Sequence, residues 1–230
     1  MPRCVGRLVV RKRFGNELTD VRDFVRPNDF MVEDIISSRQ NWTVIDLWQW
    51  VIDNIQYPAG SEISLDWHTL IAFHSSIPIL GPILPRRVYS TIDFWEFPAE
   101  VLRDRIADCE GTAVLLVSML RRVFPNMDSY VTVGYFEDHG HVWASIKQNG
   151  AWFILDTTLK RIPSVIPIEA PDSKYSPIFR FNEKEVLVES EELIIPEKVY
   201  NPGKNERIRS WYLIVEANAG GLNYASAYRI

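Results

Sequence analysis

The stretch DFWEFPAEVLRDRIADCEGTAVLLVSMLRRVF (residues 93–124), with YVTVGYFEDHGHVWASI (130–146) and GAWFILDTT (150–158) behind it, decides how this chain is read. It presents Cys109, His141 and Asp156 in that order, 32 and then 15 residues apart. A thiol, an imidazole and a carboxylate are the parts of an activated cysteine: attacking group, base, and the residue that orients the base. Ala113, Leu116, Val117, Leu120 and Val123 make an apolar stripe at helical spacing, so a helix begins close to the cysteine. Asp108 is an N-cap type of residue, and Glu110 suits a first turn. A cysteine placed there faces the positive end of the helix dipole and free backbone N–H groups, which favour thiolate, while the flanking acids oppose it. The helix alone is therefore insufficient, and an imidazolium has to help.

The residues after the helix supply one. Val131, Val133 and Tyr135 alternate with Thr132 and Gly134, which predicts a strand. His139-Gly140-His141 is expected to turn the chain into a second strand, HVWASI, with His141, Trp143 and Ser145 on one face. Asn149-Gly150 is a strong hairpin signal, and the returning strand ends at Asp156. Folding about that turn brings residue 156 back beside residue 143, within a one-residue slip, and so brings His141 and Asp156 together. His139, in the expected turn, is the competing base. Trp143 and Trp152 read as hairpin packing residues.

These motifs carry a resemblance. The helix-opening cysteine in ADCEGTAVLL, the His141-Val142-Trp143 strand and the Trp152–Asp156 strand resemble the transglutaminase-like superfamily, over roughly residues 42–160. The upstream run DFWEFPAEVLRDRIADCE is similar to that of bacterial transglutaminase-like cysteine proteinases, in which a Trp-Pro-Glu-Leu run leads into Gly-Asp-Cys-Glu-Asp. The resemblance implies an α+β, papain-like fold, with the nucleophile at a helix N-terminus packed on an antiparallel sheet. It implies Cys109 as nucleophile, His141 as base and Asp156 as orienter. Papain-like sites take a second oxyanion donor from a side chain upstream of the nucleophile, and Gln56, Tyr89 and Trp95 are the candidates, Trp95 being equally suited to cap the core. Ala107 and Gly111 depart from the family's Gly and second Asp. Some periplasmic relatives bind calcium through acids flanking the cysteine, and Asp108 and Glu110 match those positions. Calcium wants about six to eight oxygen ligands, however, and Gly111 offers none where the second acid would stand. The chemistry itself requires no cofactor.

Composition bounds the rest. The 230 residues are 47% hydrophobic with a formal charge of −5, which suits a buried core and disfavours general nucleic-acid binding. The 2 cysteines make no disulfide framework, and Cys4 has no partner other than Cys109. No run of about 18 apolar residues suggests a membrane span, and the first residues lack the apolar region of a secretory signal, so a cytoplasmic protein is expected.

Residues 1–41 read as an N-terminal arm and helix, 42–160 as the catalytic core and 161–230 as a C-terminal extension. In the first, Leu8-Val9-Val10 is strand-like beside a basic cluster read as a solvated arm. Phe30–Ile36 and Val44–Ile55 show helical spacing, with Thr43 and Asp46 set for a capping box. Residues 58–92 are broken by Pro78, Gly81, Pro82 and Pro85 into an apolar loop, and His68 and His74 show no ligand pairing. Pro98 opens a short helix. Pro163, Pro167, Pro171 and Pro177 predict a surface excursion, after which Ile178–Phe181, Val186–Val188 and Trp211–Val215 are strand-like. The expected activity is thiol acyl transfer, most simply a cysteine protease or amidase acting on a protein or peptide. A transamidase and a catalytically silent protein-binding module are the alternatives.

Overall fold

The computed structural model describes residues 7–12, 18–57, 95–137, 139–158, 166–167, 173–188, 212–219 and 222–229. Tyr89, His68, His74, the proline-broken loop and Cys4 fall outside these residues.

Each helix starts where local chemistry lets it. Asp29 Oδ1 accepts the Met31 N–H at 3.0 Å and opens α1 (Phe30–Ser37). Thr43 and Asp46 form the reciprocal box at the start of α2 (Val44–Asn54), each side chain accepting the other's backbone N–H, at 3.1 and 2.9 Å. Pro98 occupies the first turn of α3 (Pro98–Asp104), and Glu100 reaches back to the Phe97 N–H at 2.8 Å. Asp108 caps α4 (Cys109–Val123), accepting from the Gly111 N–H at 3.4 Å. No helix among the described residues is long and apolar enough to cross a membrane.

α4 is buried along nearly its whole length and lies against α2 and the central sheet. Leu115, Leu116, Met119 and Leu120 are fully buried, each contributing about 1.5–3 kcal/mol by leaving water. They meet Val131, Val133, Val142, Ala144, Phe179 and Phe181 from the facing strands.

Those strands belong to an antiparallel sheet built from β3 (Asp128–Phe136), β4 (His139–Gln148), β5 (Ala151–Leu155), β6 (Ile166–Pro167), β7 (Tyr175–Phe181) and β8 (Val186–Val188). Its order is β6-β5-β4-β3-β7-β8. The alternation in β3 does not mark a wet face, because the strand is buried on both sides. One of its buried polar positions is satisfied across the pair: the Thr132 hydroxyl donates to Ser145 Oγ at 2.7 Å. The face away from α4 carries Trp143, Ile154 and Tyr175, also buried.

One turn reading is corrected and the other holds. Phe136 pairs with His139, so the β3–β4 turn comes before His139, and His139 and Gly140 already belong to β4. Glu137 takes the left-handed conformation there (φ 54°) and lets the turn close earlier than the His-Gly-His pattern suggests. Asn149 and Gly150, at φ 51° and 86°, form the expected second turn, and Ala144 pairs with Leu155 beyond it.

Two of the spaced prolines, Pro167 and Pro177, lie in strands among the described residues. Pro167 sits in the short edge strand β6, and Pro177 lies inside β7, where a register shift at Val133/Gly134 of β3 receives it. A bulge is where a strand tolerates a residue without an N–H. Gly134 is required at that point, since a Cβ would lie 2.1 Å from the Ser176 carbonyl oxygen.

A second sheet joins the ends of the chain. β1 (Arg7–Arg11) pairs with β2 (Leu18–Asp20) on one side and with β9 (Tyr212–Ala219) on the other, and β10 (Leu222–Arg229) follows β9. The basic N-terminal run is therefore partly a paired strand rather than a free arm.

Candidate active site

Cys109 stands at the first residue of α4 because the chain ahead of it is pinned. Arg105 takes a left-handed conformation (φ 59°) that ends α3 and turns the chain. The next residues pair alongside Gln56: the Gln56 N–H donates to the Arg105 carbonyl at 2.8 Å, and the Ala107 N–H donates to the Gln56 carbonyl at 3.2 Å. Cys109 is 8% exposed, and its thiol donates to Glu110 Oε2 at 2.7 Å. Glu110 is itself buried, at 1% exposure, and is not the surface acid that its place in a first turn suggests.

His141 projects from β4 opposite Gly134, whose missing Cβ leaves room for the Trp143 ring. The imidazole stacks on Trp143, with centroids 6.0 Å apart and planes at 25°, and Phe136 and Tyr175 close in at 6.1 and 6.3 Å. His139, two residues earlier, is exposed.

Asp156 directly follows β5, where the hairpin register continues it opposite Trp143. Its Oδ2 meets His141 Nε2 at 2.7 Å and accepts the Tyr175 hydroxyl at 2.6 Å. Its Oδ1 accepts the Thr158 N–H at 2.8 Å and the Thr158 hydroxyl at 2.7 Å. Burial is the largest single influence on this carboxyl and favours the neutral acid. The hydrogen bond and charge of His141, with the donors of Tyr175 and Thr158, outweigh it and hold the group below the usual carboxylate range. Two further contacts lock the segment in place. Trp48 of α2 donates to the Asp156 carbonyl at 2.8 Å, and the Thr157 hydroxyl donates to Thr112 Oγ1, also at 2.8 Å. Thr112 lies in the first turn of α4 and donates to the Asp108 carbonyl at 2.8 Å, so a hydrogen-bonded chain ties the aspartate's neighbour to the cap beside Cys109.

A profile of the transglutaminase-like domain matches residues 30–167, and that span holds Cys109, His141 and Asp156. The chain belongs to this transglutaminase-like family. Its fold has solved neighbours at low identity. EGTA-treated LapG from Legionella pneumophila is 19% identical, with 69% of this chain and 84% of that one covered and a TM-score of 0.38. Calcium-bound LapG is 19% identical, covering 68% and 85%, with a TM-score of 0.36. A candidate cysteine protease from Cytophaga hutchinsonii is 14% identical, covering 69% of this chain and 43% of that one, with a TM-score of 0.40. No curated protein matches the chain.

The upstream oxyanion candidates separate. The Gln56 side chain is exposed, and its backbone does the bridging. Trp95 is 3% exposed, with ring contacts to Phe24 at 5.8 Å and Phe181 at 5.6 Å, which makes it a core residue rather than a cleft wall. Tyr57, one residue past the Gln56 bridge, is an upstream hydroxyl that sequence reading passed over. It is half-buried, and its hydroxyl has no hydrogen-bond partner among the described residues. Burial first, then the surrounding acidic groups of Cys109, Glu110, Asp108 and Asp156, push the phenol far above its ordinary range, so it remains an O–H donor.

Tyr175 and Thr158 were missed as well. Asp156-Thr157-Thr158 is the kind of local turn in which an Asp accepts from the residue two positions on, a signal present in the sequence. Tyr175 gives no local signal, because only the β3–β7 register brings it in.

The acids beside Cys109 have other partners in this structure. Asp108 is occupied as a helix cap and Glu110 with the thiol. A Cβ at position 111 would lie 2.8 Å from Ala107 Cβ and 2.9 Å from Glu96 Oε2, so an acid there would require its neighbours to shift. Among the described residues no group of 3 or more His, Cys, Asp or Glu is arranged to hold a metal ion.

Proposed function

We propose that the protein is a thiol-dependent acyl-transfer enzyme, acting as a cysteine protease or amidase on a protein or peptide substrate. The observation that carries the reading is the 2.7 Å bond from His141 Nε2 to a buried, ionised Asp156, in a segment hydrogen-bonded to the first turn of the Cys109 helix. Using Nε2 for the aspartate leaves Nδ1 as the nitrogen for proton exchange with the thiol. In the forward reaction the Cys109 thiolate attacks the carbonyl carbon and a tetrahedral oxyanion forms. The Cys109 backbone N–H and the Tyr57 hydroxyl are the donors that meet it. The C–N bond breaks as the imidazolium gives its proton to the leaving amine, and a thioester remains on Cys109. Water then gives its proton to His141 and attacks the thioester. The acid departs, and the proton returns to the thiol. An amine in place of that water would make the same site a transamidase.

A silent binding module of the same fold is the second reading, and the Cys109–Glu110 hydrogen bond favours it, because it holds the sulfur in its thiol form. Alkylation separates the two. On a Cys4→Ser background, iodoacetamide is expected to modify Cys109 at neutral pH faster than a free thiol of pKa about 8.5. His141→Ala should lower that rate by about tenfold or more, the loss of roughly one pK unit of thiolate stabilisation. Equal rates in the two proteins would overturn the enzymatic reading.

A further inference from the structure

Asp156 Oδ2 serves two donors, His141 Nε2 at 2.7 Å and the Tyr175 hydroxyl at 2.6 Å. The second is not needed to anchor the carboxylate, since both Thr158 donors already grip Oδ1. Tyr175 also comes from outside the family-matched residues 30–167, delivered by β7 pairing beside β3 with Tyr175 opposite Phe136. Its ring is 8% exposed and packs against Phe136 at 4.8 Å and Trp143 at 5.0 Å, so the hydroxyl is held in one direction.

We propose that Tyr175 is a positioning residue that shares the Asp156 oxygen with His141 and thereby sets how tightly the aspartate holds the imidazole proton. A carboxylate oxygen that accepts a second strong hydrogen bond has less negative charge to offer the first. Without Tyr175 the aspartate pulls harder on the Nε2 proton. With it, the imidazole is oriented yet less strongly stabilised in its charged form, which suits a group that must both take and release a proton. Tyr175 remains a donor throughout, because burial and then the Asp156 charge keep its phenol protonated.

The inference rests on Cys109, His141 and Asp156 being the working site, and the experiment keeps the two apart. With ¹⁵N-histidine labelling, the proton between His141 and Asp156 is followed as a low-field resonance in the full chain and in Tyr175→Phe, which keeps the ring and loses only the hydroxyl. The resonance is expected to move downfield in Tyr175→Phe, as the remaining hydrogen bond strengthens. Thr158→Val, which loses one Oδ1 donor, should move it the same way by less, and this second variant keeps the question open to test should Tyr175→Phe fold poorly. A resonance that stays put or moves upfield in the folded variants overturns the proposal. Cys109 alkylation in wild type and His141→Ala, measured in the same series, reports separately on whether the site is a live nucleophile.

Discussion

A carboxylate 2.7 Å from a thiol sulfur works against the thiolate that acyl transfer requires. Glu110 therefore acts as a brake on Cys109 as well as a neighbour. Glu110→Gln keeps the shape, removes the charge and offers an N–H to the sulfur. Alkylation of Cys109 at neutral pH should rise by about tenfold, the equivalent of roughly one pK unit. An unchanged rate would show that the sulfur leaves Glu110 before it reacts. Gly111 belongs to the same small space. A side chain at position 111 would lie 2.9 Å from Glu96 Oε2 and 2.8 Å from Ala107 Cβ, so Glu96 would have to shift to admit it.

At the scale of elements, the hairpin that carries the site is the part most firmly tested by a single substitution. Gly134→Ala would force a Cβ to within 2.1 Å of the Ser176 carbonyl and 2.9 Å of the Trp143 ring. Neither a backbone carbonyl in a sheet nor a fully buried indole can retreat easily. A cost of about 3 kcal/mol follows, read as a melting temperature about 6–12 °C lower in thermal unfolding. The elements with local signals were legible in the sequence: α2 from its capping box, α4 from its apolar stripe, the β4–β5 turn from Asn149-Gly150. The His141–Asp156 pairing followed from that turn, because a hairpin fixes register over a short span. What stayed hidden depends on partners far along the chain. Pro177 looks like a strand breaker until the bulge in β3 is seen, and Tyr175 looks like an ordinary linker residue until β7 is placed against β3. Glu110 likewise suits a first turn in the sequence, and nothing local shows that it is buried.

For the whole molecule, the site contributes to stability through Asp156, and the sign is fixed by its lowered pKa. A carboxyl held below its unfolded value of about 3.9 stabilises the fold fully above that pH and loses its contribution as pH falls through the lower folded value. The gap in melting temperature between wild type and Asp156→Asn should therefore be steady near neutral pH and shrink below about pH 4. A gap independent of pH would mean that the carboxylate charge adds nothing to folding. The pairing of β1 with β9 has a consequence of another kind, in the order of synthesis. The β1–β2 pair can form as soon as residues 7–20 leave the ribosome, but the other edge of β1 waits for residues 212–219. Until then Leu8-Val9-Val10 lies along an open strand edge able to pair with any extended chain nearby. A nascent chain stalled before residues 212–219 would already hold His141 against Asp156 alongside an exposed, adhesive edge, and β9 is the strand that covers it.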